Sequence, residues 1–297
     1  MNWKRKVILF FREIVYEMKV VVIDRNKDFA VVVPTRSVES ELAKGFLKAI
    51  NETACLDPSV IMIESSGPEF HFSKVMNIGI SEAIKMGSSA IALSNDDVRP
   101  LNKCWDSIMI ERIKKDGLAY ITPILVNEQG KVTGPIVVLP GYLKVLLFTT
   151  LYDVIPSWTF PLIRWINEIS IKAAKSLRSS GSESFFGIVN TQPFSIFDSS
   201  ALIELGGFDE QFVNGAEDFD LALNAFSHGM KIGLDKTIKF VDIGSATIGK
   251  GGFNILYRSG KADRQRVENW KNLIRKYGKT RYNSYIRNFM SKVLVYT

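Results

Sequence analysis

The sequence is poor in the two residue types that most often carry metal, redox or proton-transfer chemistry. It contains 2 cysteines and 2 histidines in 297 residues. Two cysteines, Cys55 and Cys104, are too few for a disulfide framework or a zinc site, and they predict a reducing, cytoplasmic setting. Because His71 and His228 are the only histidines, a mechanism that depends on an imidazole base is disfavoured. His228 directly precedes a glycine, which is typical of a helix end.

The sequence also lacks an uninterrupted apolar run that could cross a membrane. The segment Tyr142–Ile171 is rich in aromatic and aliphatic residues, but Asp153, Pro156 and Pro161 interrupt it. It is open to three interpretations: an interfacial element, a lid, or buried core. The run Val7–Phe11 follows basic residues as in a signal peptide, but charged residues end it at once, so no signal peptide is expected.

Negative charge is scarce at the carboxyl end of the chain. Residues 250–297 contain 12 Lys/Arg and 2 Asp/Glu, a net charge of +10, so residues 1–249 carry −3 of the total of +7. A basic tail on a mildly acidic body favours an anionic partner such as a membrane lipid, a phosphorylated substrate or nucleic acid, or it is a solvated basic helix. The tail has no recognised nucleic-acid motif, so no nucleic acid is expected.

Apolar runs rich in β-branched residues alternate with helical patterns in the first third of the chain. The predicted elements are strand Phe29–Pro34, helix Val38–Ile50, strand Val60–Ile63, helix Phe72–Met86 and strand Ala90–Leu93. Such alternation predicts a βαβαβ unit with a parallel sheet and right-handed crossovers. Further strands are predicted at Leu118–Val126, Val132–Leu139, Phe194–Phe197 and Ile238–Ile243, and a helix opens at 217–220.

Polar residues follow the first three predicted strands at their carboxyl ends. Thr35, Glu64 and the pair Asp96–Asp97 should therefore converge at one edge of the sheet, where open α/β sheets place ligands. Adjacent carboxylates repel each other unless a cation or donors neutralise them, and Mg²⁺ and Mn²⁺ prefer oxygen ligands. The pair predicts a metal–diphosphate site. The alternative is an Asp-rich turn that caps a helix starting near Leu101.

The order of these pieces resembles a known family. The stretches FAVVVPTRS, VIMIESSGP, NIGISEAI, ALSNDDV and GGFDEQF–EDFDLALNAFSHGMKI resemble a family 2 glycosyltransferase of the GT-A fold, closest to its rhamnosyltransferase-like branch. The resemblance implies an α/β fold with a mostly parallel central sheet flanked by helices. It implies a catalytic domain at 29–250 with an insertion at about 142–185, an N-terminal extension 1–28 and a basic C-terminal extension 251–297.

The resemblance also implies a nucleoside-diphosphate sugar as the donor and Mn²⁺ or Mg²⁺ as the cofactor. The donor-binding residues that it implies are Thr35, Glu64, Asn77, Gly79, Asn95 and Asp96. Asn95 replaces the first acid of the family's DxD-type motif, and Glu64 stands where aspartate is usual. Asp97 is the expected metal ligand. Asp242 is the second expected metal ligand, since it occupies the position where many members have a histidine ligand and aspartate suits Mg²⁺ or Mn²⁺. The alternative is that the histidine is absent because metal dependence is weak.

On the acceptor side, the resemblance implies an acid pair at the start of a helix. Asp218 is the expected general base of an inverting transfer, and Glu217 is its orienter or the second choice. The alternative is that both acids stabilise the helix N-terminus electrostatically. The acceptor is a glycan, a lipid-linked sugar or a protein. Peripheral membrane contact is expected if Tyr142–Ile171 and the basic tail lie on one side.

Two other functions fit parts of the sequence. A nucleotidyltransferase also uses acids at strand ends, but its Gly-rich basic loop after the first strand is replaced here by TRSVES, with the single Arg36. A non-catalytic nucleotide-sugar-binding protein is favoured by Asn95 and Asp242.

Overall fold

The computed structural model describes residues 5–9, 18–65, 70–137, 139, 141–151, 188–191, 193–243 and 261–297. Its strands are β1 Arg5–Leu9, β2 Lys19–Ile23, β3 Asn26–Thr35, β4 Pro58–Glu64, β5 Ala90–Ser94, β6 Val98–Pro100, β7 Leu118–Val126, β8 Val132–Gly134, β9 Ile136–Val137, β10 Ile188–Val189, β11 Phe194–Asp198, β12 Lys231–Asp242 and β13 Val293–Tyr296. The helices are α1 Glu41–Thr53, α2 Phe72–Lys85, α3 Trp105–Asp116, α4 Tyr142–Leu151, α5 Ser199–Leu205, α6 Glu217–Ser227 and α7 Lys261–Asn288, followed by a 3₁₀ helix, Phe289–Lys292. Gly278, with a φ of 68°, is not helical and divides α7 into two parts.

The centre of the molecule is a sheet with the order β1-β2-β4-β3-β5-β11-β7-β12-β13. Strand β3 runs parallel to β4 and β5, and β12 runs parallel to β7 and β13. Strand β11 is antiparallel to both β5 and β7, so these two strands point the same way. The chain therefore has the predicted α/β fold with a mostly parallel central sheet, and the βαβαβ unit is confirmed.

Helices cover both faces of this sheet because successive strand residues point to opposite sides. Val31 and Val33 of β3 belong to the core beneath α1 and α3, which includes Trp105. Val32 belongs to the core on the other face, where α2, α5, α6 and α7 pack and where Met76 lies. Strands buried on both faces read as continuous apolar runs, which is why the sequence pattern identified them.

Several predicted boundaries change for local reasons. The strand predicted at Val132–Leu139 is two short strands, because Pro135 has no N–H for a continuous ladder. Helix α3 begins at Trp105 rather than near Leu101, because β6 intervenes and pairs with β12. Strand β2, in the predicted N-terminal extension, pairs antiparallel with β4 of the same sheet. The division into domains stays a prediction.

Helix α4 occupies the first part of the predicted apolar segment, and the rest of that segment lies outside the described residues. Among the helices that the structure describes, none combines the length and the apolar character needed to span a bilayer.

The expectation of reduced cysteines is wrong, because Cys55 and Cys104 form a disulfide with their Cα atoms 4.7 Å apart. The end of α1 packs against the start of α3 at this point. The Cys104 N–H donates to the Thr53 carbonyl at 2.7 Å, and the buried Asp106 carboxylate accepts from the Cys55 N–H at 2.9 Å. A count of cysteines does not show this proximity, and the cysteine argument for a reducing compartment no longer applies.

We expect loss of the disulfide to lower the free energy of unfolding substantially. The bridge closes a sequence separation of 49 residues, for which the chain-entropy model gives about 4 kcal/mol. The double variant Cys55→Ala/Cys104→Ala should therefore unfold at lower urea concentration than the oxidised protein. Reductant should destabilise the wild type and leave the double variant unchanged. Equal midpoints for the oxidised wild type and the double variant would contradict the expected contribution.

Candidate functional site

The carboxyl ends of β3, β4 and β5 bring the predicted polar residues together. Thr35 is the register partner of Glu64, and the Thr35 hydroxyl donates to Asp96 Oδ2 at 2.8 Å. Glu64 Oε2 accepts from the Val38 N–H at 3.1 Å, which ties the end of β4 to the loop after β3. The convergence expected from a parallel sheet is therefore present, with direct contacts between residues far apart in the sequence.

The Asn95–Asp97 turn is held from two sides. The Asn95 N–H donates to the Pro193 carbonyl at 3.0 Å. The Arg99 guanidinium donates to the Asp96 carbonyl at 2.7 Å and to the Leu42 carbonyl at 2.8 Å, so it joins the turn to α1. Burial raises the pKa of Asp96, while the Thr35 hydrogen bond and the Arg99 charge oppose that rise. Sequence analysis missed Arg99, although an arginine two residues after an acid pair was a usable signal.

Asp97 has the most unusual environment of this turn. It is 9% exposed, and its Oδ1 atom has no hydrogen-bond partner among the residues that the structure describes. Burial and the negative charges of Asp242 and Asp96 raise the pKa of Asp97 to about 6. Asp242 reaches this position because β12 pairs with β6, which places it opposite Val98, and the Ile243 N–H donates to the Asp97 carbonyl at 3.0 Å.

These residues fit a divalent cation as a pair of ligands rather than as a complete cage. Within the described ranges, no group of three or more histidine, cysteine or acidic residues is arranged to hold a metal ion alone. Mg²⁺ often uses one or two carboxylates and takes its remaining oxygens from water and substrate phosphates. The unpartnered oxygen of Asp97 and the like charge of Asp242 match such a two-carboxylate site.

The second acid pair opens α6. Glu217 and Asp218 are both buried, and a turn with Ala216 in the left-handed region (φ 68°) precedes them. Glu217 accepts a hydrogen bond from the Gly215 N–H, and Asp218 Oδ1 accepts from the Phe219 N–H at 2.9 Å. Burial raises the pKa of both carboxyls, and the charge of Asp218 raises that of Glu217 further.

Asn190 distinguishes the two members of this pair. Its side chain hydrogen-bonds the Asp218 carboxyl and opposes the burial-induced rise in the pKa of Asp218. The next residue, Thr191, directs its hydroxyl to the Asp218 carbonyl at 3.4 Å. Asp218 therefore has two donors, Asn190 and the Phe219 N–H, that favour its ionised form. Sequence analysis missed Asn190, because it lies outside the strands, helices and acid-rich motifs that were identified.

Thr191 and Pro193 also connect the two acid groups. Thr191 contacts Asp218, and Pro193 accepts the hydrogen bond of Asn95. Two residues of chain span at most about 7 Å, so the two contacts lie close together. The Asp96–Asp97 turn and the Glu217–Asp218 pair are thereby brought to one region, although 120 positions separate them in sequence.

Asn77 and Gly79 have structural contacts instead of the predicted role at the diphosphate. The Asn77 amide donates to the Phe208 carbonyl at 2.9 Å and accepts from the Phe208 N–H at 2.8 Å, so it braces the turn after α5. Gly79 lets α2 approach the sheet, because a Cβ atom there would lie 2.2 Å from Val32 Cγ1. We leave both residues out of the candidate donor site.

We therefore expect Gly79→Ala to destabilise the fold by about 1–3 kcal/mol, as overpacking usually does, without weakening nucleotide binding by the folded protein. Gly45→Ala is the matched control, since its Cβ would meet the flexible end of the Arg99 side chain at 3.0 Å and should cost less. Urea unfolding measures the first effect and nucleotide titration the second. Weaker nucleotide binding at unchanged stability would return Gly79 to the donor site.

Asp220, the last acid of the EDFD stretch, joins α6 to α7. Asp220 accepts from Lys276 Nζ and from the Tyr277 hydroxyl, at 2.8 and 2.9 Å, and Lys276 Nζ also reaches Asp209 Oδ2 at 2.8 Å. The two histidines likewise have local roles: His71 accepts from the N–H of Lys74 at the start of α2, and His228 contacts a carbonyl at the end of α6.

Comparisons with known proteins find similarity among solved structures but not among family models or curated sequences. No family model matches the chain, and no curated protein matches its sequence. The solved structures that are similar in part include these three. A197 from STIV has 13% identity and a TM-score of 0.26, and the match covers 34% of this chain and 48% of that chain. GalNAc-T7 with UDP, GalNAc and Mn²⁺ has 12% identity and a TM-score of 0.48, over 87% of this chain and 49% of that one.

The third structure is the mannosyltransferase PcManGT from Pyrobaculum calidifontis with GDP-Man and Mn²⁺. Its identity is 10% and its TM-score 0.43, over 89% of this chain and 74% of that one. The chain thus spans about half the length of the first two proteins. Because all three scores are low, the function proposed for this chain depends on its own residues.

Proposed function

We propose that the protein is an inverting glycosyltransferase of the GT-A fold that moves a sugar from a nucleoside-diphosphate sugar to an acceptor hydroxyl. The observation that supports this proposal best is that two chemically different acid groups are linked through the neighbouring residues Thr191 and Pro193. One group, Asp96–Asp97 with Asp242, suits a metal-bound diphosphate. The other, Glu217–Asp218, suits proton transfer.

On the donor side, Thr35 and Glu64 lie at the strand ends where the nucleoside would bind, and Asn95 and Asp96 lie in the adjacent turn. Asp97 and Asp242 would hold Mn²⁺ or Mg²⁺. The ion, when bound, would supply positive charge that neutralises the leaving diphosphate. Asn95 has an amide where the family has an acid. Of the three residues Asn95–Asp97, two would therefore present carboxylates to the sugar donor.

On the acceptor side, Asp218 is the proposed general base. In the transfer, its carboxylate removes the proton of the acceptor hydroxyl, and the acceptor oxygen forms a bond to the anomeric carbon as the bond to the diphosphate breaks. Attack opposite the leaving group inverts the configuration. Glu217, whose pKa the Asp218 charge raises, stays protonated beside the ionised Asp218 and positions it.

The acceptor class in this proposal is a glycan, a lipid-linked sugar or a protein. Peripheral contact with a membrane is part of the proposal, because a lipid-linked acceptor would be presented there. A non-catalytic nucleotide-sugar-binding protein is the second candidate, favoured by Asn95. A nucleotidyltransferase has less support, since the loop after β3 carries the single basic residue Arg36.

A donor panel tests the proposal. Nucleoside-diphosphate sugars should raise the melting temperature of the protein with Mn²⁺ and much less with chelator, and one of them should release free nucleoside diphosphate slowly in the absence of an acceptor. Donor binding without any release, unchanged by Asp218→Asn, would favour the binding protein. If no nucleotide sugar shifts the melting temperature, the proposal is wrong.

A further inference from the structure

Helix α4 has one apolar face that the described part of the chain does not cover. Leu143, Leu146 and Leu147 are 61%, 40% and 62% exposed, and their spacing places them on one side of the helix. Val145 and Thr149, on the other side, are buried. The helix therefore packs on the protein through one face and presents a row of leucines on the other. Adjacent exposed leucines are typical of an interaction surface.

Exposed basic residues lie on α4 itself and on the helix that supports it. Helix α4 is seated on α7, where the Tyr142 N–H donates to Asn283 Oδ1 at 3.0 Å. Lys279 and Arg287 lie four residues before and after Asn283, hence on the same side of α7, and both are exposed. Lys144 is also exposed, next to Leu143. The sequence has no acidic residue in 142–151 or in 279–297.

We propose that the α4 leucines, together with Lys144, Lys279 and Arg287, form a docking face for an anionic lipid bilayer. Leucines would enter the boundary between headgroups and acyl chains, while the cations would meet the lipid phosphates. A second copy of the chain fits less well, because a symmetric contact would bring each cation against another cation.

The helix that supports α4 also contacts α6. Lys276 contacts Asp220 of α6, and Asn283, which lies beyond the non-helical Gly278, contacts α4. We extend the proposal to an acceptor embedded in the bilayer, which would approach the protein on the side where α4 packs on α7. That last step rests on the proposed function, whereas the docking face does not.

Vesicle co-sedimentation of the full chain tests the face. The protein should pellet with vesicles of phosphatidylcholine and phosphatidylglycerol at low salt, much less with phosphatidylcholine alone, and less again at high salt. Leu143→Gln/Leu146→Gln/Leu147→Gln should lower the partition coefficient at least tenfold, and each of Lys279→Gln and Arg287→Gln about fivefold.

Matched variants give the controls. Leu101→Gln, Val132→Gln and Ile203→Gln remove similarly exposed apolar side chains elsewhere, and Lys48→Gln and Lys114→Gln remove exposed charges on the face of α1 and α3. These controls should pellet like the wild type, and every variant should keep its melting temperature and its nucleotide-induced shift. The proposal is overturned if the triple leucine variant pellets as well as its control. It is also overturned if the wild type self-associates in size-exclusion chromatography and the triple leucine variant does not. A nucleotide-induced shift in melting temperature without vesicle binding would refute the docking face alone. Vesicle binding without such a shift would refute the enzymatic function alone.

Discussion

Asp218→Asn is expected to lower the rate of sugar transfer by about 10²–10⁴-fold and to leave donor binding nearly unchanged, since this is the usual contribution of a general base. Asparagine has nearly the shape of aspartate, but its amide cannot accept the acceptor proton. The steady-state rate with the donor identified by the panel measures the loss. Isothermal titration with nucleoside diphosphate measures donor binding separately.

The variant should fold as well as the wild type. Burial raises the pKa of Asp218, so the ionised side chain is less favourable in the folded protein than in the unfolded chain. That penalty grows as pH rises through the raised pKa, and a neutral asparagine removes it. A rate loss that accompanied a large loss of stability would point to misfolding instead of to missing chemistry.

Glu217→Gln separates the two members of the pair. Because Glu217 is proposed to stay protonated, a glutamine should preserve much of the activity. Normal turnover by Asp218→Asn together with loss of activity in Glu217→Gln would show that the base is Glu217. The two variants have opposite expected outcomes, so one comparison decides between the roles.

The pH dependence provides a further check on the base. Transfer requires ionised Asp218, so the rate should fall as pH falls through the raised pKa of this carboxyl. Asn190→Ala removes a hydrogen-bond donor that favours the ionised form of Asp218. The acid limb of the pH–rate profile should therefore move to higher pH. Arg266 acts on Glu217, and Lys276 acts on Asp220, so neither offers a simpler cause for such a shift. If the acid limb of the pH–rate profile of Asn190→Ala coincides with that of the wild type, Asn190 does not have the role given to it.

The sequence predicted the features that depend on periodicity and strand direction. Strands buried on both faces give continuous apolar runs, and parallel strands end at one edge, so the contact of Thr35 with Asp96 followed from pattern alone. Features that depend on distant packing were missed. The Cys55–Cys104 bridge and the contact of Asn190 with Asp218 join positions that no local pattern relates.

The residues that the resemblance implies differ in the contacts that the fold gives them. Asn77 and Gly79 match a family stretch in sequence, yet their contacts brace a turn and a helix–sheet interface. A motif match conveys residue types in order but not the side chains that surround them. Asp242 differs in residue type from the family's histidine, but the pairing of β12 with β6 still brings it near Asp97.

Asp97→Ala is expected to abolish the metal-dependent part of donor binding. The proposed site draws two protein ligands from Asp97 and Asp242, so removal of one leaves a single carboxylate and the donor phosphates. Titration of nucleoside diphosphate with Mn²⁺ and with chelator should give different affinities for the wild type. For Asp97→Ala the two affinities should be the same.

Asp242→Asn and Asp28→Asn complete this experiment. Asp242→Asn should weaken Mn²⁺-dependent binding, because an amide is a poorer ligand for a hard cation than a carboxylate. Asp28→Asn removes an exposed acid at the amino end of β3, the edge of the sheet opposite the site, and should bind like the wild type. If the affinity for nucleoside diphosphate is unchanged both by Asp97→Ala and by chelator, Asp97 is not a metal ligand. Its buried oxygen, which has no partner among the described residues, would then accept a hydrogen bond from the substrate.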